Sequence, residues 1–181
     1  MKAWGTQPML VSACVVAVAL VGLAPSCRGQ KSEAEPGGAT PSPRPVPPLP
    51  DEAYRVEWVA NTVPPTLKPG ASATVTVTIK NVSATSWPGL NSSGSEPPSA
   101  GAVRLGHRWW SASAPIPISE SPSRADLERG LGPGESATFQ VVVTAPNSPG
   151  EYELEFELIQ ELVTWFAAKG AATLLVPVRV Q

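Results

Sequence analysis

From Asp51 to the C-terminus the chain alternates apolar and polar residues with a period of two. Tyr54, Val56, Trp58 and Ala60 alternate with Arg55, Glu57 and Val59. Val75, Val77 and Ile79 alternate with Thr74, Thr76, Thr78 and Lys80. Phe139, Val141 and Val143 interleave with Thr138, Gln140 and Thr144, and Tyr152, Leu154, Phe156 and Leu158 with Glu151, Glu153, Glu155 and Glu157. Leu174, Val176, Val178 and Val180 close the chain. Successive strand side chains point to opposite faces, so each run predicts a strand with one buried and one wet side. Pro69-Gly70, Pro88-Gly89, Pro133-Gly134 and Pro149-Gly150 mark turns between them. Residues 103–110 and 115–119 predict two more strands, and residues 124–129 at most a short helical turn. About seven strands with regular turns predict an all-β fold, a single two-sheet sandwich of immunoglobulin type over residues 51–181. The polar segment 91–101 predicts a mobile loop.

The first 50 residues follow neither period. Lys2 precedes a nearly unbroken apolar run from Met9 to Leu23, which is the layout of a secretory signal. At about 15 residues the run is shorter than the roughly 20 of a spanning helix. Leu23-Ala24-Pro25-Ser26-Cys27 resembles a bacterial lipobox, with Ala24 where that pattern has an aliphatic residue. The resemblance implies a lipoprotein-type signal peptide over residues 1–26 and lipid attachment at Cys27. It further implies a bacterial cell-envelope protein held to a membrane by its N-terminal lipid. Plain secretion and an uncleaved anchor are the alternatives. Multiple acyl chains, each contributing about 0.8 kcal/mol per buried CH₂, hold such a chain firmly. Arg28 after the cysteine does not resemble the inner-membrane retention signal of enteric lipoproteins, so the outer membrane is expected in a Gram-negative cell. Residues 27–50 are polar and then dense in proline, which predicts a disordered, semi-rigid linker.

Composition narrows the chemistry. The net charge is −2, and removal of Lys2 with the signal makes it −3 by the same count. With no basic patch or polybasic cluster, nucleic acid is not an expected partner. Cys14 and Cys27 are the two cysteines, so residues 28–181 contain no disulfide, thiol nucleophile or cysteine metal site. His107 is the single histidine and no G-x-S-x-G elbow occurs, so a Ser-His-Asp arrangement is disfavoured and no enzyme is expected. Histidine-based metal sites need more than one such ligand. Glu151, Glu153, Glu155 and Glu157 share one strand face, where they would either collect Ca²⁺ or form a solvated outer face. The solvated face is expected, with Lys80, Arg104 or Arg179 nearby to offset the repulsion, and neither metal nor cofactor. Two N-x-S sequons, at Asn81 and Asn91, are read as turn-forming composition.

The aromatics carry more information. Trp109 and Trp110 are adjacent on one strand and so face opposite sides, and Trp165-Phe166 poses the same problem. The second ring of each pair is either covered by a neighbouring segment or forms part of a binding surface. The candidate surface is Trp110, Trp165, Arg108 and His107, since tryptophan and arginine are frequent interface anchors and exposed tryptophan stacks on sugars.

Asn81-Val82-Ser83 followed by Ser86-Trp87-Pro88 resembles a step in tryptophan-rich Ig-like domains, which occur in selective-autophagy receptors and many bacterial envelope proteins. Arg104-Leu105-Gly106-His107-Arg108-Trp109, Leu131-Gly132-Pro133-Gly134-Glu135, Ala145-Pro146, Pro149-Gly150-Glu151-Tyr152 and the segment from Glu161 to Phe166 follow in order. That series is similar to Ig-like modules beside bacterial glycosyltransferases and other surface-polysaccharide proteins. The resemblance implies the sandwich over residues 54–181 and carries over no catalytic residue. A sandwich hosts many activities. The expected role is a non-catalytic interaction or assembly module for an envelope protein; the alternative is a carbohydrate-binding accessory protein for surface glycan.

Overall fold

The computed structural model describes residues 47–92, 99–120 and 123–181. The chain divides into two compact units, Met1–Pro41 and Ser42–Gln181, and every described residue lies in the second. The signal segment, Cys27, the linker up to residue 46 and the middle of the 91–101 loop lie outside the described residues.

The strands are β1 (Val56–Asn61), β2 (Thr66–Leu67), β3 (Ser72–Asn81), β4 (Val103–Ser111), β5 (Ala114–Glu120), β6 (Ala125–Asp126), β7 (Ser136–Thr144), β8 (Gly150–Gln160), β9 (Thr164–Trp165) and β10 (Leu174–Val180). They form a three-stranded sheet, β1-β3-β7, and a larger one ordered β2-β10-β8-β4-β5, with β6 on β4 and β9 on β8. The domain is therefore an all-β, immunoglobulin-like two-sheet sandwich.

The period-two pattern explains the packing. Val75, Val77 and Ile79 of β3 and Phe139, Val141 and Val143 of β7 face Leu105 and Trp109 of β4 and Leu154, Phe156 and Leu158 of β8 in one core. Fully burying such side chains stabilises by about 1.5–3 kcal/mol each. At one end an aromatic cluster seals the core. Phe166 meets Tyr54 and Trp87 edge-on, with ring centroids 4.9 and 5.2 Å apart, and Trp87 Nε1 donates to the Ala53 carbonyl at 2.7 Å.

Two expectations change. Tyr54 is buried but lies in the turn before β1. The other concerns residues 47–49, which Gln160 holds against the sandwich. The Gln160 side chain accepts from Tyr54 Oη (2.7 Å) and Leu49 N (3.0 Å) and donates to the Pro47 carbonyl (3.2 Å). Asn81 is also fully buried, with Nδ2 donating to Thr85 and Leu131 carbonyls and Oδ1 accepting from Ser83. Its role is to fasten a turn.

Candidate interaction surface

β8 lies between β4 and β10 in the larger sheet. Its acidic stripe lies on the face opposite the core, as the period predicts. The expectation of a solvated stripe is corrected in part: Glu151 is exposed and Glu153 half-buried, but Glu155 and Glu157 are buried. The cause is what β4 and β9 lay over them. Arg104, Gly106, Arg108 and Trp110 occupy the outer face of β4 (alternating with Val103, Leu105, His107 and Trp109 inside), and Trp165 comes from β9. Gly106 explains why Trp165 fits. A Cβ at Gly106 would lie 2.9 Å from Trp165 Cη2, so the glycine leaves the space that the indole fills.

The result is an alternating stack. The Arg108 guanidinium lies 6.0 Å from the Trp110 ring centroid and 5.4 Å from that of Trp165. Arg124 lies 5.3 Å from the Trp165 ring. Each such contact contributes about 0.5–2 kcal/mol, more where water is excluded. Carboxylates anchor the cations. Arg108 pairs with Glu155 at 3.1 Å and with Glu157, while Arg124 and Arg104 pair with Glu161 at 3.3 and 3.4 Å. Trp110 Nε1 donates to Glu155 Oε2 at 2.7 Å, and the Ala167 N–H donates to Glu157 Oε1 at 3.1 Å. Burial pushes the Glu157 carboxyl above its ordinary value, opposed by the Ala167 hydrogen bond and Arg108.

Arg108, Trp110 and Trp165 thus come together. His107 does not, and its assignment to the surface is corrected. It points into the core, 6% exposed, with its ring centroid 6.1 Å from that of Phe156. Its Nδ1 is buried without a hydrogen-bond partner, and burial pushes its pKa below the ordinary value. The expected countercharges also change. Arg179 does pair with Glu151, at 2.5 Å, but Arg104 serves Asp126 and Glu161, and Lys80 lies on the other sheet. Arg108 was the missed partner of the stripe, and Arg124 a missed member of the stack. Gly106, between Arg104 and Arg108 on the outer face of a strand, was the one sequence signal for Trp165's seat.

At the Trp110 end the stack opens into a recess of about 420 Å³, lined by Trp110, Ser111, Ser113, Glu153, Glu155 and Leu175 among others. β5 runs beside it, with Pro117 opposite Trp110 and with Ile116 and Ile118 exposed. Pro115 and Pro117 supply no N–H groups, which blunts β5 as a template for strand addition. A second recess, of about 490 Å³, lies between residues 51–56 and 169–172, where Asp51 and Lys169 already pair with each other at 2.7 Å. Among the described residues no group of three or more His, Cys, Asp or Glu side chains is placed to hold a metal ion.

No protein-family model matches the chain, and no curated protein sequence matches it. Solved structures similar to it include a β-glucosidase from Listeria innocua in complex with glucose, at 18% identity and a TM-score of 0.42, covering 69% of this chain and 16% of that one. A β-glucosidase from Erythrobacter marinus is similar at 14% identity and a TM-score of 0.41, covering 70% and 15%. The CARDB domain of a Pyrococcus furiosus protein is similar at 13% identity and a TM-score of 0.39, covering 70% and 90%. This chain spans about 16% of the length of the Listeria enzyme. Likenesses at this level carry nothing about ligand or activity.

Proposed function

We propose that the chain is a lipid-anchored protein of the bacterial envelope whose sandwich is a non-catalytic interaction module for another envelope protein. The anchor rests on Cys27 and the apolar run before it. The module reading is carried by one observation: the ordered Arg–Trp stack ends at a half-exposed Trp110 that borders an open recess lined also by Leu175 and Ala114. Aromatic and arginine side chains next to exposed apolar ones are the usual composition of an interface centre. The inward position of His107 supports a non-catalytic role, since it removes the single histidine from that surface. A surface glycan is the second reading, favoured by the indole that borders a recess with Ser111 and Ser113 hydroxyls.

The test is retention of the purified full-length chain on the organism's envelope fraction, before and after protease treatment of that fraction. Retention lost with protease is expected; retention that survives it supports the glycan instead. For the anchor, a Cys27→Ala variant is expected to lose acylation and membrane fractionation, and one that keeps both would rule out attachment at Cys27.

A further inference from the structure

The stack on the outer face of the larger sheet stops one member short. From the residue before β6, across β9 and onto β4, it reads Arg124, Trp165, Arg108, Trp110, alternating cation and ring. Beneath it, on β8 and the residue after it, the carboxylates are taken in turn: Glu161 by Arg124 and Arg104, Glu157 by Arg108, and Glu155 by Arg108 and the Trp110 N–H. On the far side of Glu153, Glu151 is taken by Arg179. Glu153 alone of these has no ion pair or hydrogen bond from its side chain among the described residues. Its cross-strand neighbours are Trp110 on β4 and Pro177 on β10, neither of which is a cation. Glu153 and Trp110 both line the recess, and Arg108 does not, so the recess lies beyond Trp110 from the last arginine. A carboxylate beside an indole, in a recess open to solvent, is the half-site that every internal arginine of the stack already occupies.

We propose that this recess takes an arginine side chain of the partner protein, with its guanidinium on the Trp110 indole and against the Glu153 carboxylate. The proposal rests on the protein-partner reading above and names the chemistry of that contact. Arginine fits better than lysine because a planar guanidinium stacks on an indole and bonds a carboxylate through two N–H groups at once, whereas an ammonium is a compact, strongly hydrated charge. Leu175, which also lines the recess, supplies apolar surface for residues flanking that arginine.

The probe is the peptide acetyl-Gly-Arg-Gly-amide, titrated into the isotope-labelled full-length chain while the Trp110 indole N–H resonance is followed. Its lysine counterpart is the control. A saturable shift at Trp110 is expected, weakened about fivefold with the lysine peptide and about fivefold by Glu153→Gln. The buried Trp109 resonance is expected to stay in place in both proteins, which shows that Glu153→Gln folds. An unmoved Trp110 resonance, or equal binding by Glu153→Gln, overturns the proposal. Envelope retention separates this failure from that of the broader reading. Protease-sensitive retention with no arginine response leaves the interaction module standing and removes arginine as its ligand. Absence of retention removes the module reading, whatever the peptide does.

Discussion

The two sheets turn very different outer faces to solvent. On the three-stranded sheet the outward positions are Ser72, Thr74, Thr76, Thr78 and Lys80 of β3 and Ser136, Thr138, Gln140, Val142 and Thr144 of β7. Their contacts are short hydroxyl pairs, Thr78 with Thr138 at 2.9 Å and Ser72 with Thr144 at 2.9 Å. On the larger sheet the outward positions hold long charged and aromatic side chains locked to one another. Both faces come from the same period-two rule. The difference is that one is a wet surface, where each contact competes with water, and the other is a second, polar layer that excludes water from its own carboxylates. Interactions gain strength as the local dielectric falls, so the second layer carries far more energy per residue and tolerates far less loss.

Arg108 is where the contrast should be greatest. Arg108→Ala strands Glu155 and Glu157 side by side in a partly dry site, and a loss of about 3 kcal/mol in urea unfolding is expected. Adding Glu157→Gln should restore part of that loss by removing one of the two stranded charges. A double variant no more stable than the single one would show that packing, and not charge, holds this face. Gly106→Val comes next. The new side chain meets the Trp165 ring and must displace it, for about 2 kcal/mol, and Trp165 fluorescence should become open to acrylamide quenching.

A smaller effect separates the two faces of the larger sheet by pH. Burial lowers the His107 pKa, so the unfolded chain binds a proton below about 6.5 that the folded chain resists. Stability should therefore fall as pH drops from 6.5 toward the folded value, and His107→Gln should flatten that limb. Glu157 acts with the opposite sign. Its pKa is raised in the folded state, so the stability it contributes below 4.5 is lost as pH rises through the folded value. The smallest effect belongs to the hydroxyl face, where Thr78→Ala or Thr138→Ala should change stability by less than about 0.5 kcal/mol.

The sandwich was legible because burial obeys period two over β3, β7 and β10, and turn residues separate the strands. The opposed fates of Trp109 and Trp110 followed from the same rule. The environment of the acidic stripe was not legible. Alternation says which face a glutamate takes but not what lies over that face, and the cover arrives from Arg108 across one strand pairing and Trp165 after a turn. Leu162, with a φ of 61°, makes that turn without the glycine or asparagine that would have announced it. His107 was misplaced for a related reason. It was grouped with Arg108 and Trp110, whereas its parity with Leu105 and Trp109 puts it inside.

The grip of Gln160 on Pro47 and Leu49 gives the module a front and a back. Gln160 and Glu153 are seven residues apart on β8, about 24 Å at strand spacing. Residues 47–49 are fastened at one pole and the open recess lies toward the other. A ligand seated against Trp110 is therefore kept clear of the place where the chain enters the sandwich.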